Sequence, residues 1–121
     1  MKNTKLLDTD SIEFEQEVQK LKNKYGSIYQ IEIADQRFIF KPLSRKDYKD
    51  IMGAAFDINM SNDEVIFNRE NMIAKTVIVY PDKKIVDNML ETFAGISEVI
   101  AEECMKISGF VSENNREVSK L

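Results

Sequence analysis

Apolar positions along the chain change period twice before residue 50. Phe14, Val18, Leu21 and Tyr25 recur at helical spacing among Glu, Gln, Lys and Asn, which is an amphipathic helix with one face to bury. Asp10 and Glu13 are spaced as a capping box, so this helix is expected to start near Ser11, and Gly26 stands where a C′ glycine would end it. From Tyr29 the period falls to 2. Tyr29, Ile31 and Ile33 alternate with Gln30 and Glu32, and Phe38 and Phe40 alternate with Arg37 and Lys41. Asp35-Gln36 lies between the two runs at hairpin spacing, although the turn has no glycine. Two strands alone are marginal in water, so a helix or a further strand must cover their apolar face.

Pro42 cannot donate a ladder hydrogen bond and closes the second strand. Ser44 can cap the next helix, Asp47 suits its first turn, and Tyr48, Ile51, Met52 and Ala55 give it an apolar side. Ser61 and Glu64 form a second capping-box pair. Val65, Ile66, Arg69, Met72, Ile73, Thr76, Val77 and Tyr80 follow in two neighbouring rows, predicting a helical spine over 62–80, with Asn71 on its opposite face. The β-branched run TVIVY leaves its last turn open between helix and strand, and Pro81-Asp82 stops it. Ile85 to Ala94 reads as a short helix with Gly95 as breaker. Ile96, Val99, Ile100, Cys104 and Ile107 mark a final helix, closed by Gly109, with Phe110-Val111 folding back on its last turn. The expected fold class is α+β: an N-terminal helix, one β-hairpin, then four mostly amphipathic helices. The expected organisation is a polar lead-in (1–10), the helix 11–26, a compact domain of hairpin and helices (27–111) and a polar, mobile tail (112–121).

Composition then removes several kinds of chemistry. The 121 residues include no histidine, so Ser-His-Asp and Cys-His arrangements and the commonest zinc ligand are missing. The net charge of −4 gives no counterion-release energy on DNA or RNA, and the best basic patch, RKDYK at 45–49, is diluted by Asp47 and Asp50. The single cysteine, Cys104, forms no internal disulfide, as suits a reducing compartment. The N-terminal apolar run of two leucines is too short for a signal peptide, and TVIVY is far too short to span a bilayer.

DINMSNDEVIFN (57–68) places Asp57, Asn59, Ser61 and Asp63 on alternating positions, as in a calcium loop. Asn62 stands where the sharp turn needs glycine and Asn68 where bidentate glutamate is needed, so a helix cap at Ser61 explains the same residues better. Cys104 lies on an apolar stripe as a small hydrophobe, and Glu102-Glu103 reads as a solvated helix face. Gly53 falls inside a helix, where it costs about 1 kcal/mol relative to alanine. Met52, Met60, Met72, Met89 and Met105 lie on or near apolar faces, as core or as adaptable contact surface. No catalytic, cofactor-binding or metal residue is nominated.

The order of elements carries a resemblance. A hairpin reading Y-Q-I-E-I-x-x-x-R-F-I-F-K-P-L-S-R-K-D-Y precedes a capped helix and a helix ending V-I-V-Y-P. It is followed by F-A-G-I-S-E-V-I-A-E-E-C-M-K-I-S-G-F. Residues 28–110 resemble small proteins encoded among the tail genes of long-tailed bacteriophages, some of them tail-assembly chaperones, others minor tail or baseplate components. The motifs are F-x-[FY]-[KR]-P-[LI]-[ST]-R-x-x-[YF], the Y-P stop and the terminal S-G-F. The chain departs from that pattern in lacking Asp-Gly in the hairpin turn and in carrying the extra helix 11–25. The resemblance implies a non-enzymatic protein of the host cytoplasm or the virion tail. Its partners would be tail or baseplate proteins or a second copy of itself, with no cofactor, nucleic acid, membrane or small-molecule substrate. A small cytoplasmic regulatory or adaptor subunit unrelated to phage is the alternative. The stripe Phe14, Val18, Leu21 and Tyr25 is either core over the hairpin or a projecting helix-in-groove ligand. The projecting reading is preferred, because the resembling segment begins only after it.

Overall fold

The computed structural model describes residues 12–110, so the lead-in 1–10, Ser11, Val111 and the tail 112–121 lie outside the described residues. The fold is α+β, and the described residues form five helices and one three-stranded antiparallel sheet. In order these are α1 (Ile12–Tyr25), β1 (Tyr29–Ile33), β2 (Gln36–Phe40), α2 (Arg45–Ala55), α3 (Asn62–Val77), β3 (Ile78–Tyr80), α4 (Lys83–Thr92) and α5 (Gly95–Ile107). The strand order is β1-β2-β3.

The hairpin turn lies one residue earlier than expected. Ile33 pairs with Gln36, so Ala34-Asp35 is the two-residue loop, with φ of 53° and 62°. Positive φ at both positions matches the twist of a tight hairpin, but alanine takes it at a steric cost of about 1–2 kcal/mol. The third strand resolves the ambiguity of TVIVY. α3 stops at Val77, and Ile78–Tyr80 pairs with Ile39 and Phe40. The β-branched residues thus leave the predicted spine 62–80 for a sheet position that suits their stiff side chains. Lys41 N–H continues the junction by donating to the Val77 carbonyl at 3.0 Å.

β2 is the central strand, and both of its faces are covered. Phe38 and Phe40 point to the main core with Ile73, Ala74 and Val77 of α3, Val86 and Leu90 of α4, and Ile96, Ile100 and Cys104 of α5. Ile39, 2% exposed, points the other way into a second cluster with Phe14, Leu21 and Tyr80. α1 therefore lies on the outer face of the sheet and corrects the preferred reading of its stripe as a projecting ligand. The physical reason is Ile39 and Tyr80, which would otherwise stand in water.

Other boundaries shift for local reasons. Asp82 caps α4 by accepting from Ile85 N–H at 3.0 Å, so that helix starts before Ile85 and ends at Thr92. Gly95 does not break a helix but opens α5. The N-terminal half of α3 is not spine, since Ile66 is 42% exposed. Asn71, expected on a solvated face, is half-buried and accepts the Ser97 hydroxyl at 3.1 Å. The end of α5 is a Schellman turn: Gly109 has φ of 102°, Phe110 N–H reaches the Met105 carbonyl at 2.8 Å and Gly109 N–H reaches that of Lys106 at 3.2 Å.

Candidate functional site

The strand–cap–helix joint at 42–48 is also one wall of a groove. Ser44 caps α2 by accepting from Asp47 N–H at 3.1 Å, and this sends Tyr48 and Met52 along one side of the helix. The opposite wall comes from the end of α5, where the Schellman turn throws Phe110 back over α2. Its ring stands 4.7 Å from that of Tyr48, tilted by 37°. Leu43, Tyr48, Met52 and Phe110 line an open groove of about 560 Å³, with Arg45 and Lys49 on its margin. That volume falls within the ordinary range for ligand pockets, roughly 300–1,000 Å³.

A hydroxyl joins the two walls. Ser108 Oγ accepts from Leu43 N–H at 2.8 Å and donates to the Cys104 carbonyl at 2.6 Å. Cys104 Sγ donates to the Lys41 carbonyl at 3.6 Å. Burial pushes the Cys104 thiol up, against opposing contributions from Ser108, the Leu43 amide and Lys41. The thiol therefore stays protonated, the opposite of what a nucleophile needs.

The margin of the groove is electrostatically uneven. Lys46 pairs with Asp50 at 3.1 Å, and that hydrogen bond and charge raise its pKa. Arg45 and Lys49 are exposed and make no ion pair among the described residues. Among the described residues no carboxylate lines the groove. Its chemistry is thus an apolar floor beside two available cations.

The residues singled out from the sequence fall elsewhere. Phe14 and Leu21 are buried against the sheet, and Val18 packs on the same cluster. Tyr25 is 36% exposed, with the Lys24 and Lys41 ammonium groups each 5.2 Å from its ring centre. Phe14 meets Tyr80 edge-on, with ring centres 5.5 Å apart at 77°. The stripe is therefore part of the packing, and only its Tyr25 end faces solvent. In the failed calcium loop, Asp57 Oδ1 accepts from Asn59 N–H at 2.9 Å, and Ser61 and Glu64 complete the capping box. Asn68 Nδ2 turns to Met60 Sδ at 3.3 Å. Among the described residues no group of three or more His, Cys, Asp or Glu side chains could hold a metal ion. Nor is any helix there long and apolar enough to cross a membrane.

The groove was missed in the sequence because its walls lie 65 residues apart in the chain and meet through Leu43 and Ser108. The two patterns that form it, K-P-L-S-R-x-x-Y and S-G-F, were visible separately as a helix start and a helix stop.

No family model matches the chain, and no curated relative matches it. Its fold recurs in a solved structure. An uncharacterised protein from Bacillus stearothermophilus, rbstp2171, superposes with a TM-score of 0.57 at 23% identity, over 86% of this chain and 98% of the other. The likeness shows a shared fold.

Proposed function

We propose that the protein is a non-enzymatic bacteriophage tail protein that binds other tail or baseplate proteins, as an assembly chaperone or as a component of the virion. The observation that supports this reading best is that two motifs of the phage resemblance meet at one binding groove. Leu43, Ser44, Arg45 and Tyr48 come from the strand–cap–helix motif, Ser108 and Phe110 from the terminal S-G-F, and the Leu43–Ser108 hydrogen bond joins them. An adaptable apolar floor with Met52, flanked by unpaired cations, suits a protein segment carrying apolar side chains and carboxylates. On this reading the protein acts in the host cytoplasm during assembly and stays in the tail if it is a subunit. It needs no metal, cofactor, nucleic acid or small-molecule substrate.

Mass spectrometry of purified particles of the encoding phage, beside the lysate, tests the proposal. Stoichiometric peptides in particles identify a virion subunit. A protein abundant in lysate, absent from particles and co-eluting with a tail protein identifies a chaperone. Absence from particles together with no tail protein in its lysate complexes refutes the reading and leaves the adaptor alternative.

A further inference from the structure

α2 separates two surfaces of opposite character. Its first turns carry the basic-margined groove. Its far end leads into the loop 56–61 and the start of α3, where Phe56, Ile58, Ile66 and Phe67 are 63, 85, 42 and 60% exposed. None of the four belongs to either core cluster. The Met60–Asn68 contact holds this loop against the second turn of α3, so the loop and the helix start form one tip. From Phe56 to Asn68 the sequence holds Asp57, Asp63 and Glu64 and no cation. Large apolar side chains gathered at one exposed end mark an interaction surface.

We propose that the acidic, apolar tip of one copy seats in the basic-margined groove of a second, so that the chain associates head to tail. Charge complementarity selects the occupant. The tip offers carboxylates beside exposed Phe and Ile, while the groove offers Arg45 and Lys49 beside Tyr48, Met52 and Phe110. Met52, the last groove residue on α2, precedes Phe56 by four residues, about 6 Å of helical rise, and the two patches share no residue. Such a contact is heterologous and builds rings or open rows rather than a two-fold dimer. The inference rests on the groove being a docking surface and is independent of the phage context.

Sedimentation velocity of the purified protein over a concentration series tests it. The mass is expected to grow past the dimer with concentration and to fall back at high salt, which screens the charged contact. Arg45→Glu/Lys49→Glu, which spoils the groove, and Ile58→Ser/Phe67→Ser, which spoils the tip, should each be monomeric with unchanged circular dichroism. An equimolar mixture of the two should form a species that stops at two chains, because one intact groove and one intact tip remain. A wild type that stays monomeric, oligomers indifferent to either variant, or a mixture that does not associate would overturn the proposal. The particle experiment above is read independently of any of these results.

Discussion

Removing the Phe14 ring tests whether α1 holds its place on the sheet. Phe14 is 6% exposed and meets Tyr80 edge-on. Truncating a buried phenylalanine to alanine costs about 3–5 kcal/mol, including the space left behind. The ring lies between one helix and one sheet face, where water can enter the vacated volume, so Phe14→Ala is expected at the low end, about 3 kcal/mol. The aromatic contact itself contributes about 0.5–1.5 kcal/mol of that. Against a typical domain stability of about 5–15 kcal/mol the loss is large. Urea unfolding followed by circular dichroism reads it as a lower midpoint with an unchanged slope. Ile12→Ala, at a position 71% exposed on the same helix, serves as control and should move stability by less than about 0.5 kcal/mol. If Phe14→Ala behaves like Ile12→Ala, the packing of α1 on Ile39 and Tyr80 does not stabilise the fold and the argument fails.

Ala34→Gly should raise stability by about 1 kcal/mol, because glycine adopts the φ of 53° without a Cβ clash; a lower melting temperature would mean that the turn is not strained. Ser108→Ala removes the acceptor of the Leu43 amide and should cost about 1–3 kcal/mol in urea, with weaker exchange protection of that amide as the specific sign. Glu70 is held above the ordinary glutamate value of 4.5 by burial first, then by Glu98 and Glu102, with Arg69 opposing. A carboxyl whose folded pKa is raised binds its proton more tightly when folded, so stability falls as pH climbs from 4.5 through the raised value. Glu70→Gln should therefore melt higher than the parent at neutral pH and lose that advantage below the ordinary glutamate value; an equal gain at both pH values would contradict the assignment.

Where periodicity and capping agreed, the sequence was informative. Ser44 and the Ser61–Glu64 box begin α2 and α3 as expected, because a cap is a local contract between residues three apart. Gly26 and Gly109, at φ of 82° and 102°, end their helices for equally local reasons. The position of α1 was harder to see. In Phe38-Ile39-Phe40 attention to the alternating aromatics hid Ile39, an apolar residue on the supposedly polar side. That residue was the available signal of a strand buried on both faces, and hence of a helix to cover the second face. β3 depended on whether Ile78–Tyr80 would find a partner in β2, a long-range fact that no window of sequence contains. The groove was beyond reach for the same reason.

The order in which the chain leaves the ribosome gives the Leu43–Ser108 hydrogen bond a biosynthetic consequence. Residues Ile73, Ala74 and Val77 of α3 are synthesised well before α5, which supplies Ile96, Ile100 and Cys104 to cover them. At roughly 5–20 residues per second, the thirty-odd residues from Val77 to Ser108 take about two to six seconds. For that interval the nascent chain carries an α3 face that the earlier Phe38, Phe40 and Ile51 cover only in part, with Ile96, Ile100 and Cys104 of α5 still to be made. A ribosome stalled before α5 should therefore present a chain that proteases cut within α3 and that chaperones hold. One stalled after Ser108 has fully emerged should present a resistant domain.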